Sequence, residues 1–320
     1  MWKLVIAGSL SSLVWPCFVQ EESERSPAPV VDEGHGALVF VPAGRFHMGD
    51  PNDEGNPRER PVHRVYLDGY YIGALEVSNA QYERFLEDGG YTRAEYWSAG
   101  GFGHFEEPRY WNEEEFHGGG LPENGEFPVL GVSWFECNAY CAWVSEETGQ
   151  TYRLPTEAEW EKAARGGEFL DGDERSDVPN PIAPSRRYPW GNTIDGTYAN
   201  YLDSGDPFEP GPTPVGFYDG SERDGFVTHD NASAYGARDM AGNVYEWCRD
   251  LYGSDYYEQC RAAGTVSNPS GPDAPLSYVI RGSAFAYETF KQRCAYRGAY
   301  PPEAREAYIG FRCARESKAG

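Results

Sequence analysis

Arg153-Leu-Pro-Thr-Glu-Ala-Glu-Trp-Glu-Lys-Ala-Ala-Arg-Gly-Gly167 decides how the chain is read. Thr156 stands three residues before Glu159, a pairing in which hydroxyl and carboxylate satisfy the free N–H groups at a helix start. Trp160, Ala163 and Ala164 then fall on one face, and Gly166-Gly167 stops the helix. The same signature recurs at Ser78 with Gln81 and at Ser133 with Glu136. The first predicts a helix burying Tyr82, Phe85 and Leu86, and the second one with Ala139, Tyr140, Trp143 and Val144 inward. All three are expected to be short and amphipathic.

Upstream, LVFVPAGRFHMG (38–49) alternates apolar residues around Pro42-Ala43-Gly44 as a hairpin does, and RPVHRVYLDGYYIG (60–73) repeats the pattern with Val62, Val65, Leu67, Tyr70 and Ile72. Both read as paired strands. Downstream of Gly167 come brief aromatic runs between turns, and 38 Gly with 24 Pro punctuate the whole chain too often for long elements. The expectation is one irregular, loop-rich α+β domain. No composition break divides residues 37–316, and residues 317–320 read as a tail.

Residues 1–20 carry a lone Lys3 and an apolar stretch from Leu4 to Trp15, too short to span a bilayer and suited to a signal peptide. Export to the periplasm, the outer membrane or the exterior is expected. Cys17 follows as the anchoring cysteine of a bacterial lipoprotein does, although Pro16 sits where such signals want a small residue, so lipid attachment and plain cleavage are both open. Residues 21–36 are polar, acidic and Pro-containing and read as a flexible tether.

Acidic residues outnumber basic ones 51 to 27, a formal charge of −24. A surface that negative repels phosphate backbones and anionic headgroups, which excludes nucleic acid as a partner class. Most carboxylates are expected on a solvated face. No transmembrane span is expected, and no exposed apolar repeat suggests assembly, so a monomer is expected. Setting Cys17 aside leaves Cys137, Cys141, Cys248, Cys260, Cys294 and Cys313, an even number in an exported chain. Disulfides are the default reading, though six thiols allow about 15 pairings and sequence alone fixes none.

The Arg153–Gly167 stretch, followed by Tyr188-Pro-Trp-Gly-Asn192, Asp239-Met-Ala-Gly-Asn-Val-Tyr-Glu-Trp247 and Gly310-Phe-Arg-Cys-Ala-Arg315, resembles the formylglycine-generating (sulfatase-modifying factor) family over about residues 38–316. The resemblance implies a mixed fold akin to C-type lectins with little regular secondary structure. It also implies an oxidase that converts a substrate-protein cysteine to formylglycine with molecular oxygen and a copper ion held by two cysteines. Soft thiolates stabilise Cu(I), and Ser, Ala or Thr offers no comparable ligand.

Here the stretch that carries those cysteines reads Gly282-Ser-Ala-Phe-Ala-Tyr-Glu-Thr-Phe-Lys-Gln-Arg-Cys-Ala295, shorter than the family pattern. Ala286 occupies the first cysteine position. The second falls on Lys291 counting from Gly282 and on Thr289 counting back from Cys294, so no copper is expected. Ser283 matches a serine of the family pocket and Tyr245 a pocket aromatic. Ser283 lacks the partners of a nucleophile and reads rather as a residue that closes the turn after Gly282. Related sulfoxide synthases use iron bound by three histidines, partly from a helical domain this chain does not contain. His35, His47, His63, His104, His117 and His229 are scattered without ligand spacing and read as satisfied or solvated.

Two loops resemble the family's calcium sites, where side-chain and carbonyl oxygens converge as a hard cation requires. One maps to Asp239, Gly242, Val244 and Glu246, the other to Asn200, Tyr201, Asp206 and Phe208. Such calcium would be structural. The resemblance also pairs Cys141 with Cys313, a link between distant segments worth about 4–5 kcal/mol. The family's other helix cysteine corresponds to Ala164, which leaves Cys294 for Cys137, with Cys248 and Cys260 closing a local loop. The expected function is a non-oxidising binding or accessory protein taking a protein, peptide or glycan ligand. The alternative is a protein-modifying oxidase, of the formylglycine-generating type or related chemistry, acting on an exported substrate.

Overall fold

Each signature of a hydroxyl followed by an acid or amide opens a helix in the computed structural model, which describes residues 30–112, 124–172, 179–223, 225–273 and 276–317. The stretch expected to be a signal peptide, Cys17, His117 and residues 318–320 lie outside these. Helix α1 (Asn79–Glu87) starts on Ser78, α2 (Trp134–Thr148) on Ser133 and α3 (Glu157–Arg165) on Thr156, each with both halves of the capping box formed. Gly149 at φ +67° and Gly166 at φ +87° end α2 and α3 in backbone conformations that side chains resist. A fourth helix, α4 (Tyr256–Ala263), carries no such signature and was not expected.

The strands are short and form four sheets. One runs β1 (Val30–Asp32), β2 (Ala37–Val41), β5 (Tyr70–Gly73), β14 (Ala314–Glu316), β6 (Tyr152–Arg153). Another runs β10 (Val266–Ser267), β4 (His63–Leu67), β3 (Gly44–Met48), and a third β12 (Gly298–Tyr300), β11 (Tyr278–Arg281), β9 (Tyr245–Leu251), β13 (Ile309–Gly310). Strands β7 (Glu222–Arg223) and β8 (Phe226–Val227) make a ribbon of two. No described helix is long and apolar enough to cross a membrane.

The two expected hairpins are in fact one. β2 pairs with β5 and β3 with β4, so 37–48 and 63–73 are two bent arms of a single antiparallel ribbon. Pro42 has no N–H for a ladder, and the corner there hands the chain from one sheet to the next. Residues 30–36, read as tether, are also folded. β1 pairs with β2, and Glu33 accepts hydrogen bonds from Tyr152 and Arg315.

Helix α3 departs most from expectation, because all nine of its residues are buried. Its charged face does not meet solvent; it meets arginines from distant strands. Glu157 accepts from Arg281 at 2.8 Å and from Arg297 Nε at 2.8 Å, and Glu161 pairs with Arg281 at 2.7 Å and with Arg165 at 3.0 Å. Burial alone would raise the Glu157 carboxyl, but Arg297 and Arg281 outweigh it and hold it below the usual range. The apolar face packs Trp160, Ala163 and Ala164 against Val65 and Ile72 in one core cluster, while α1 and α2 build a second, aromatic one around Tyr82, Tyr140 and Trp143.

Candidate functional site

β11 ends in Arg281, whose buried pairs with α3 fix where the following turn begins. Gly282 at φ +85° and Ser283 at φ +65° carry that turn. Three loops are laced together around it: Gly242 N donates to Gly282 O (2.8 Å), Phe285 N to Asn243 O (2.9 Å), Asn243 N to Asn200 O (2.9 Å) and Leu202 N to Tyr287 O (3.1 Å). A Cβ on Gly242 would lie 2.3 Å from Asn200 O, so only glycine allows this approach. The two loops read as calcium sites and the stretch read as a catalytic remnant therefore form one region.

Ser283 is fully buried and its hydroxyl makes no hydrogen bond of good geometry. Burial pushes the nearby Tyr245 phenol up, with Tyr296, Ser283 and Tyr287 also acting on it. The Tyr245 ring meets those of Tyr287 (5.2 Å), Tyr296 (6.4 Å) and Tyr308 (6.2 Å), and the Tyr300 and Tyr308 hydroxyls are 2.8 Å apart. Sequence reasoning singled out only Tyr245 from this cluster. The crowding of tyrosines at 287, 296, 300 and 308 was the available signal. Lys291 lies with its Nζ 3.7 Å from the Tyr287 ring centroid, while Ala286 is exposed at the surface.

Copper does not fit the residues present. Ala286, Thr289 and Lys291 offer no sulfur. Cys294 is fully buried, its thiol pushed up to about 11 by burial, and its backbone is held from both sides by Arg187 O and Arg281. All six described cysteines are free thiols. The Cys141 and Cys313 sulfurs sit 3.7 Å apart, in contact but beyond the roughly 2.05 Å of a disulfide. Cys137 shares their core cluster whereas Cys294 and Cys248 lie in the other, so Cys137 and Cys294 are not brought together. Cys260 stands on α4, where it interacts with Tyr256.

The two calcium loops differ in fit. Both Glu246 oxygens are taken by Arg312, at 2.8 and 2.6 Å, and Trp160 Nε1 adds a third bond at 2.8 Å. Asp239 accepts from Asn231 (2.9 Å) and Gly216 N (2.6 Å). The Glu246 and Asp239 carboxylates of the first set, which also includes Gly242 and Val244, are thus already met by protein donors, among them the buried Arg312 guanidinium. In the second loop Asn200 Oδ1 is buried without a donor, while its Nδ2 donates to Gly211 O. Burial pushes the Asp206 carboxyl up. The Tyr201 and Phe208 carbonyls each accept one backbone bond, from Ser204 and Gly211, which leaves each a lone pair. These four residues fit a hard cation. Among the described residues no group of three or more His, Cys, Asp or Glu side chains is placed to hold a metal, so calcium here would depend on the Asn200 amide and the carbonyls.

Residues 23–317 match the sulfatase-modifying factor enzyme 1-like domain. The chain is 33% identical to the serine/threonine-protein kinase pkn1 of Chlamydia caviae across 94% of its own length, but spans only 41% of that protein. It is 30% identical to a formylglycine-generating enzyme of Thermomonospora curvata, across 94% of this chain and 99% of that one. Among solved structures, PvdO from Pseudomonas aeruginosa superposes with a TM-score of 0.65 at 26% identity, over 92% of this chain and 100% of that chain. These matches lead to one conclusion: the chain belongs to the sulfatase-modifying factor enzyme 1-like family.

Proposed function

We propose that this protein is a non-oxidising binding or accessory member of its family, working outside the cytoplasm on a protein, peptide or glycan ligand, with calcium at Asn200 and Asp206 bracing the loop beside its tyrosine-lined site. One observation carries the reading: the 282–293 turn is built and fixed as a site, yet its two copper-ligand positions hold Ala286 and Lys291 or Thr289. Cu(I) chemistry on a peptide thiol needs two soft ligands there, and Cys294 faces the core instead. The apolar stretch Leu4–Trp15 favours export.

The competing reading is formylglycine generation, favoured by similarity along nearly the whole of the Thermomonospora enzyme. Incubating the purified protein with copper, oxygen and a Cys-x-Pro-x-Arg peptide separates the two. Mass spectrometry is expected to find the peptide cysteine unconverted. Aldehyde formation that disappears in Cys294→Ser would overturn the proposal.

A further inference from the structure

We propose that Lys291 and Arg58 form a carboxylate-binding site, selective for a carboxylate carried next to an aromatic or apolar group on a peptide. This deepens the reading of the 282–293 turn as a binding site and rests on it. The two cations come from distant segments, which a buried ion pair joins. Arg293 donates to Glu59 at 2.7 and 3.2 Å, clamping the short helical turn Pro57–Glu59 against the turn Thr289–Lys291. Arg58 adjoins Glu59, and Lys291 stands two residues before Arg293. Both lie over one ring, with Arg58 Cζ 5.6 Å and Lys291 Nζ 6.0 Å from the Tyr296 centroid.

Neither has a carboxylate partner among the described residues, in a chain where acids outnumber bases 51 to 27. Glu59, the nearest acid to Arg58 in sequence, is occupied by Arg293. Glu288 acts on Lys291 without pairing with it. Arg58 Nη2 donates to Tyr296 OH at 3.3 Å, the one side-chain hydrogen bond that Arg58 makes among the described residues. An aromatic face replaces a counter-ion only in part, so two cations held together by a rigid clamp have unused capacity for an anion. A planar guanidinium beside an ammonium matches the two oxygens of a carboxylate.

The flanks supply the second half of the recognition. Phe290 is 44% exposed and Leu202 45% exposed, and Leu202 is tied to Tyr287 by its backbone N–H. With Tyr287 and Tyr308 half-buried beside them, the cations are bordered by apolar surface on which a ring would lie.

The test uses N-acetyl-phenylalanine, which carries a carboxylate beside a phenyl ring, and N-acetyl-phenylalaninamide, which keeps the ring without the charge. Calorimetric or NMR titration of the whole protein is expected to show the acid binding at least about tenfold more tightly than the amide, the value of one charge-assisted hydrogen bond. Lys291→Gln and Arg58→Gln should each weaken the acid by about the same factor, with Lys291→Arg retaining most of it. Raising the salt concentration should weaken the acid and leave the amide unmoved, a comparison on the unaltered protein that does not depend on any variant folding. Equal binding of acid and amide, no binding of either, or full retention in Lys291→Gln would overturn the proposal. Charge-blind binding without aldehyde formation in the copper assay removes this site and leaves the non-oxidising reading standing, whereas aldehyde formation removes that reading.

Discussion

Asp250 lies at the end of β9, 3% exposed, where one oxygen accepts the Glu157 backbone N–H at 2.9 Å. Burial, and then the Glu157 charge, push its carboxyl from 3.8 up to about 8. At pH 7 the group is therefore protonated in the folded protein and ionised in the unfolded chain. Folding must take up a proton across the roughly three pH decades between 3.8 and 7, at about 1.4 kcal/mol each, or about 4 kcal/mol in all. The sign follows: a raised carboxylate pKa leaves stability intact below pH 4 and erodes it as pH climbs toward 8. Asp250→Asn needs no proton and can still accept the Glu157 N–H, while its amide donors cost about 1 kcal/mol if one stays unpaired. The variant should be slightly less stable than the parent near pH 4 and about 3 kcal/mol more stable at pH 7. Urea unfolding of both proteins at half-unit steps from pH 4 to 8.5 reads the difference. A gap that does not widen with pH would refute the account.

Glu157→Gln should do the opposite at every pH, because it leaves Arg281 and Arg297, both fully buried, without their shared carboxylate; a loss of about 3–5 kcal/mol in urea unfolding is expected. Calcium at about a hundred times its dissociation constant should stabilise the protein by about 2.7 kcal/mol, seen as a rise of several degrees in Tm that EDTA reverses. Asn200→Ala should abolish that rise. Glu246→Gln should lower Tm by stranding Arg312 yet keep the calcium response, and loss of the response in Glu246→Gln alone would move the cation to the other loop.

What the sequence revealed and what it concealed divide by range. Ser78, Ser133 and Thr156 announce their helices because a capping box is complete within four residues. The burial of Glu157 and Glu161 is invisible locally, since apart from Arg165 the arginines that permit it lie 120 to 140 residues later. The paired strands were legible as strands from their alternation, but not the assignment of β2 and β3 to different sheets, which depends on partners across a 14-residue loop. At the site, Ser283 and Tyr245 could be named from motifs. Arg58 could not, because only the Glu59–Arg293 clamp brings it to Lys291.

That clamp also explains how the region keeps its shape without a metal-binding pair. The turn is held upstream by Arg281 on Glu157 and Glu161, in its middle by Gly282, Phe285 and Tyr287 on two neighbouring loops, and downstream by Gln292 on the Ala284 and Tyr287 carbonyls (3.4 and 3.1 Å) and Arg293 on Glu59. None of these contacts uses the side chains of residues 286, 289 or 291. Those three positions can therefore change identity while the frame that presents them stays in place, so one scaffold can exchange a pair of soft ligands for a cation set among tyrosines.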